Sequence, residues 1–224
     1  KIQTKVVPGH ADFPGTWKFN HKDVRNVLER ASARETAARV AAASICKKFL
    51  SELGVEIKSR VKSVGWEESE IDDLENIDWN YVEKSEVRAS NSDEDSRFKK
   101  VIDQVKKERT TIGGIFQVIA RNVPLGLGSH THWDNKLDGK IAQAMASINA
   151  VKGVEIGNGF ENTKKLGREV QDVIEPNKAD PRNFSQISNH SGGIEGGMSN
   201  GNNLIINVAI KPIATMTSPL PSVD

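Results

Sequence analysis

Apolar residues along the chain change their spacing several times, and each change marks an element. Ala37, Ala41, Ile45 and Phe49 recur every four residues, Leu53 continues the stripe and Gly54 stops it. Ser32 stands three residues before Glu35, the spacing of a capping box, so the pattern predicts a helix over residues 33–53. Cys46 lies beside the stripe, where a small buried thiol is its expected state. Val55, Ile57 and Val61 then alternate with Glu56, Lys58, Arg60 and Lys62, which reads as a strand with one wet face. Residues 66–95 are acidic and irregular, and predict a short helix with a mobile loop. Phe98, Val101, Ile102 and Val105 give a second amphipathic helix behind the cap candidates Ser92 and Asp93.

The second half alternates in the same way. Gly113 and Gly114 open a β-type run from Ile115 to Val123, and residues 124–130 follow as a turn-rich loop. Leu137, Ile141, Ala144, Met145, Ile148 and Val151 share one helical face, with Gly153 as the expected stop. Val154 and Ile156 begin a strand that Gly157-Asn158-Gly159 interrupts. Residues 161–187 read as a charged, loop-rich excursion. Residues 188–203 hold five glycines among short polar residues and predict neither a packed helix nor a regular strand, but a mobile loop. Leu204, Ile206, Val208 and Ile210 alternate into a last strand that ends at Lys211-Pro212. Residues 1–21, rich in Pro, Gly, His and Asp, read as loop with short extended pieces. Helices and strands mix without a βαβ rhythm, so the expected class is α+β.

Composition narrows the function. Hydrophobic residues make up 37% and charged residues 27% of the 224, which suits a folded chain with a sizeable core. No apolar run reaches about 18 residues, so no membrane-spanning helix is expected. Lys and Arg number 31 against 30 Asp and Glu, without the basic excess of a nucleic-acid binder. One cysteine excludes an internal disulfide and suits a reducing cytosol.

Three segments carry candidate chemistry. Arg30-Ala31-Ser32-Ala33-Arg34 puts two guanidinium groups at a helix start, where free amides also favour an anion; the alternative is an ordinary capped helix. The glycine-rich segment, running by way of a strand into Lys211-Pro212-Ile213-Ala214-Thr215, offers close backbone approach, a lysine and a hydroxyl for a phosphate; the alternative is a surface hairpin. It contains no GxxxxGK[ST] motif, and Gly157-Asn158-Gly159 lacks the third glycine of a dinucleotide fingerprint. Pro8-Gly9-His10-Ala11-Asp12 sets a histidine, a candidate general acid, on a tight loop near an aspartate. His130 and His132 lack further metal ligands, so no metal is expected.

These segments follow the order and wording of one family. PGHAD (8–12), DVRNVLERASARETAARVAA (23–42), PLGLGSHTHWDNKLDGKIAQAMASINAVKGVEIGNGF (124–160), SNHSGGIEGGMSNGNN (188–203), and KPIAT with LPSVD (211–224) resemble chorismate synthase. The resemblance implies a β-α-β sandwich, here a single domain over residues 1–224 that is expected to be incomplete at both ends. It implies a lyase of the shikimate pathway that converts 5-enolpyruvylshikimate 3-phosphate to chorismate with reduced FMN, NADPH being a candidate reductant. It also implies a cytoplasmic homotetramer.

Carried over position by position, His10 is the expected catalytic residue beside the flavin. Arg30, Ala31, Ser32, Asn149, Ala150, Gly196, Lys211, Pro212, Ile213, Ala214 and Thr215 are the expected flavin contacts, and Ser32 and Arg34 the expected substrate contacts. Val7 stands where relatives usually carry Arg, and Thr110 where they usually carry Asp; both departures bear on substrate affinity. The alternatives to a competent enzyme are a catalytically impaired flavin- or anion-binding relative and a structural interaction module.

Overall fold

The computed structural model describes residues 1–31 and 34–223; Ser32, Ala33, Asp224 and the side chain of Arg34 lie outside it. Residues 12–19, expected as loop, form helix α1 (Asp12–Phe19). Asn20 closes it from the left-handed region (φ 51), sending its amide back to the Thr16 and Trp17 carbonyls. A single turn, α2 (Arg25–Leu28), leads to α3 (Arg34–Glu52), the long helix that the four-residue stripe predicts. Its predicted cap, Ser32, falls outside the described residues.

The stripe on α3 does not face the sheet. Ile45, Phe49 and Leu53 are 74%, 64% and 62% exposed, and Cys46 is exposed rather than a buried thiol. Leu50, on another side of α3, is the residue that packs against the core, and Arg39 ties the helix to Ser147 at 2.8 Å.

Strand β1 (Glu56–Val64) turns at Gly65 into the short β2 (Glu67–Glu68). The stretch beyond, expected to be mobile, is packed. A 3-10 turn at Leu74–Asn76 precedes α4 (Trp79–Lys84), which Asp78 caps by accepting from the Asn80 and Tyr81 amides. Helix α5 (Ser92–Lys107) is capped by Asn91, one residue before the expected caps. Val82 and Ala89 are fully buried within this stretch.

Strand β3 (Gly114–Arg121) follows, then α6 (Leu137–Ala146) and β4 (Val151–Ile156). The expected helix to Gly153 therefore stops seven residues early. Ala150 takes a left-handed conformation (φ 68) that turns the chain out of the helix, and Val151 and Gly153 flank a bulge in β4. The charged excursion holds two short helices, α7 (Gly159–Asn162) and α8 (Gly167–Val170), and an antiparallel pair, β5 (Ile174–Pro176) and β6 (Phe184–Gln186). The glycine-rich segment folds into a two-residue pair, β7 (Ile194–Glu195) and β8 (Met198–Ser199), before β9 (Leu204–Ile210).

The large sheet runs β2-β1-β3-β9-β4, every pairing antiparallel, and the class is α+β as expected. One face is apolar. Ala120, Leu204, Ile206 and Val208 are buried there, with Leu137, Ile141 and Met145 of α6 packed on them. Full burial of a leucine, isoleucine or valine such as Leu204, Ile206 or Val208 contributes about 1.5–3 kcal/mol. The opposite face carries a polar row, one residue per strand, in register: Arg60, Gln117, Asn207 and Glu155. Arg60 Nε donates to Gln117 Oε1 at 2.9 Å, Gln117 Nε2 to Asn207 Oδ1 at 2.9 Å, and Asn207 Nδ2 to Glu155 Oε2 at 2.9 Å.

Arg60 was expected on a wet face and is 1% exposed instead. The residues 66–95 cover it, and its remaining donors reach Ser69, Ser90 and the Ile71 carbonyl. Glu94, also 1% exposed, accepts from Ser69 Oγ and the Ser90 amide. Burial pushes the Arg60 guanidinium pKa down, and the charges of Glu94 and Asp72 oppose that shift. No helix among the described residues is long and apolar enough to cross a membrane.

Candidate functional site

The loop before α1 is closed by Asp12, whose buried carboxylate accepts from the Val7 amide at 2.7 Å and the Phe13 amide at 3.0 Å. Inside this closure Gly9 sits at φ 80, a conformation that suits glycine, and His10 donates its amide to the Val7 carbonyl at 3.1 Å. The His10 side chain is 20% exposed. Its Nδ1 is buried 3.6 Å from Asp12 Oδ1 and lacks a hydrogen-bond partner among the described residues.

Lys211 leaves the end of β9 and joins two other candidate segments. Its backbone amide donates to the Ala150 carbonyl at 3.0 Å, and its Nζ donates to the Gly9 carbonyl. Ala214 lies on the same side of Gly9 as the ammonium: a Cβ on that glycine would stand 3.5 Å from Lys211 Nζ and 3.7 Å from Ala214 Cβ. The exposed strip Pro212 to Thr215 is held from behind by Thr111 Oγ1, which donates to the Ile213 carbonyl at 2.7 Å. Asn149, one residue before Ala150, donates from Nδ2 to the Ala31 carbonyl at 3.0 Å and so adds the approach to α3.

Four of the five expected segments therefore meet: His10 with its loop, Ala31, Asn149-Ala150, and Lys211 to Thr215. Gly196 does not join them. It caps the exposed β7–β8 turn, where the Gly197 carbonyl accepts from Leu137 at the start of α6, whereas Asn149 follows the other end of that helix. Ten helical residues separate those ends by about 15 Å. Ser32 and the Arg34 side chain lie outside the described residues.

The charges at the site differ in availability. Arg30 is spent on Glu35, with Arg39 at 3.6 Å on the other side of the same carboxylate. The Arg30 hydrogen bond holds the Glu35 carboxyl below its usual range. Among the described residues Lys211 has no carboxylate partner. Its ammonium is held by the Gly9 carbonyl.

The whole chain, residues 1–224, matches the family model described as chorismate synthase. The chain belongs to the chorismate synthase family. It is 48% identical over 232 residues to the chorismate synthase of Aquifex aeolicus (strain VF5), covering 99% of this chain and 57% of that protein. It is 48% identical over 222 residues to that of Staphylococcus carnosus (strain TM300), covering 99% of this chain and 56% of that protein. A solved structure described as the crystal structure of chorismate synthase superposes with a TM-score of 0.84 at 48% identity, over 91% of this chain and 62% of that one. The chain thus spans somewhat more than half the length of the curated chorismate synthases it matches.

The family implies a reduced flavin. Among the described residues Lys211 is an ammonium without a carboxylate partner and His10 Nδ1 a buried nitrogen without a hydrogen bond, donor chemistry that fits an anionic group with a polar edge. Two elements of this cluster escaped the sequence pattern. Asp12 was expected only as a neighbour of His10, yet it is the staple of the loop. Arg39, which joins Glu35 to Ser147, carries no signal beyond its place one turn after Glu35.

Proposed function

We propose that this protein acts as a chorismate synthase, converting 5-enolpyruvylshikimate 3-phosphate to chorismate and inorganic phosphate with reduced FMN. The observation that carries the reading is Lys211, a cation without a carboxylate among the described residues, bonded to both the His10 loop and the turn at Ala150. Lys211 and the strip to Thr215 would hold the FMN phosphate, with Ala31, Asn149 and Ala150 along the cofactor. Bound reduced FMN would supply electron density to the reacting ring and take up its proton.

In the reaction a ring C–H bond breaks and its electrons form a new double bond, the existing ring double bond shifts one place, and the allylic C–O bond breaks with its pair leaving on phosphate. There is no net oxidation. His10, on a stapled loop with its Nδ1 beside Asp12, would hold a proton near the flavin. Arg34 would face the substrate, with Ser32 beside it. Negative charge grows on the departing phosphate, so cations set in advance lower the barrier without reorganising. Gly196, beyond the other end of α6 from Asn149, would approach only the far end of the flavin, and NADPH would serve as reductant. A homotetramer and a cytoplasmic setting belong to the same reading.

The test is anaerobic. Reduced FMN, 5-enolpyruvylshikimate 3-phosphate and the complete protein should yield chorismate above the blank without protein, and free FMN should titrate the unreacted protein saturably. Absence of both would remove the reading.

A further inference from the structure

Asp172, two residues before β5, directs its carboxylate into the glycine-rich segment. Its Oδ1 accepts from Ser188 Oγ at 2.6 Å and from the His190 amide at 2.8 Å, and its Oδ2 accepts from the Ser191 amide at 2.9 Å. Partial burial works to raise its pKa, but the bonds from Ser188, Ser191 and His190 hold the carboxyl below its usual range.

Past Ser191 the backbone crosses the end of β4 at a distance only glycine permits. A Cβ on Gly157 would stand 2.4 Å from the Gly192 amide nitrogen, and one on Gly192 2.2 Å from that of Gly157. The His190 carbonyl accepts from the Asn158 amide at 3.0 Å and from Asn162 Nδ2 at 3.1 Å, and Asn200 donates to the Gly193 carbonyl at 2.9 Å. The segment expected to be mobile, for want of side chains, is therefore fastened by its own backbone, and Asp172 is the anchor at its root.

We propose that Asp172 is a positioning residue that seats the glycine-rich segment, and with it Gly196, ahead of cofactor binding. The proposal rests on the flavin reading of the site. Gly192, Gly193, Gly196 and Gly197 all sit at positive φ, between 59° and 89°. Such a run gains more freedom on release than any other residues would, so a segment let go at its root is seldom in the binding conformation. Apparent affinity then falls in proportion to the competent fraction.

Asp172→Asn is the sharpest variant. It keeps the shape and one acceptor but turns an N–H donor toward one of the bonded donors. Hydrogen exchange at the His190 and Ser191 amides should quicken about tenfold or more, and the FMN dissociation constant should rise about tenfold. Ser188→Ala removes one bond of the three and should move both readouts the same way by about two- to fivefold. Glu169→Gln serves as control: Glu169 caps Leu166 in the same excursion, and its loss should change neither readout. Unchanged exchange in both Asp172→Asn and Ser188→Ala would overturn the anchoring. Faster exchange with an unaltered FMN constant would overturn the positioning role, as would an equal effect of Glu169→Gln. Failure of the unmodified protein to bind FMN would instead remove the flavin reading, and with it the cofactor half of the proposal, while exchange still decides whether Asp172 anchors the segment.

Discussion

The backbone amide of Lys211 lies 3.0 Å from the Ala150 carbonyl, so the end of β9 is clamped to the one left-handed turn that takes the chain from α6 into β4. The lysine side chain is thereby aimed at Gly9 by backbone geometry. Its position does not depend on a partner of opposite charge.

Lys211→Ala should therefore weaken FMN binding while leaving the fold intact. Charge-assisted contacts to phosphate contribute about 1.5–3 kcal/mol each, so the dissociation constant should rise about tenfold or more. Fluorescence titration with FMN checks this, and an unchanged constant would remove the phosphate role of Lys211.

His10→Ala should lower turnover by about 100- to 10,000-fold, the range of a lost proton-holding group. The melting temperature should barely move, because His10 Nδ1 makes no hydrogen bond in the fold. Normal turnover across neutral pH would make His10 a bystander.

Arg60→Ala should be among the most damaging single changes, at about 3–5 kcal/mol in urea unfolding, because it leaves Glu94 buried beside Ser69 without its countercharge. The double change Arg60→Met with Glu94→Leu should cost less than the two single changes summed. Strict additivity would show that the two groups do not sense each other.

Acid should loosen the excursion. The hydrogen bond from Arg182 lowers the Asp180 carboxyl from 3.8 to about 2 in the fold, and Asp172 is lowered as well. A depressed carboxyl contributes stability that is complete above its unfolded value and disappears as pH falls through the folded one. Unfolding curves should thus be flat in this contribution above about pH 4 and should weaken between about pH 4 and 2. Asp180→Asn should flatten part of that slope; an identical slope would refute the pairing.

Strands β1, β3 and β9 were legible in the sequence because a half-buried sheet writes its period of two directly into the chain. Helix α3 was legible too, though not which way it faces: the stripe Ile45, Phe49 and Leu53 has helical spacing whether or not anything covers it. The end of α6 was hidden because Ile148 and Val151 continue the apolar rhythm across the break, and Ala150 at φ 68 has no sequence signature. Pro14 and Gly15 disguised α1. At the site, the anion-binding character of the Lys211 segment was readable from residue types. Its meeting with Gly9 was not, since 202 positions separate the two residues and no local pattern pairs them. The motif wording named both; only the fold brings them into contact.

The polar row across the sheet has a direction. Arg60 at one end only donates, and Glu155 at the other, when ionised, only accepts, so each amide between them has a single permitted orientation. Gln117 must present oxygen to Arg60 and nitrogen to Asn207, and Asn207 must repeat the choice. Reversing the charge at one end alone would set donor against donor or acceptor against acceptor somewhere along the line. Exchanging the charges of positions 60 and 155 together would ask both amides to flip half a turn, turning the Asn207 oxygen toward the Gly157 carbonyl and setting a carboxylate at 60 beside Glu94. The row is therefore fixed in one direction by its surroundings as well as by its ends, and the four sites should vary as one unit.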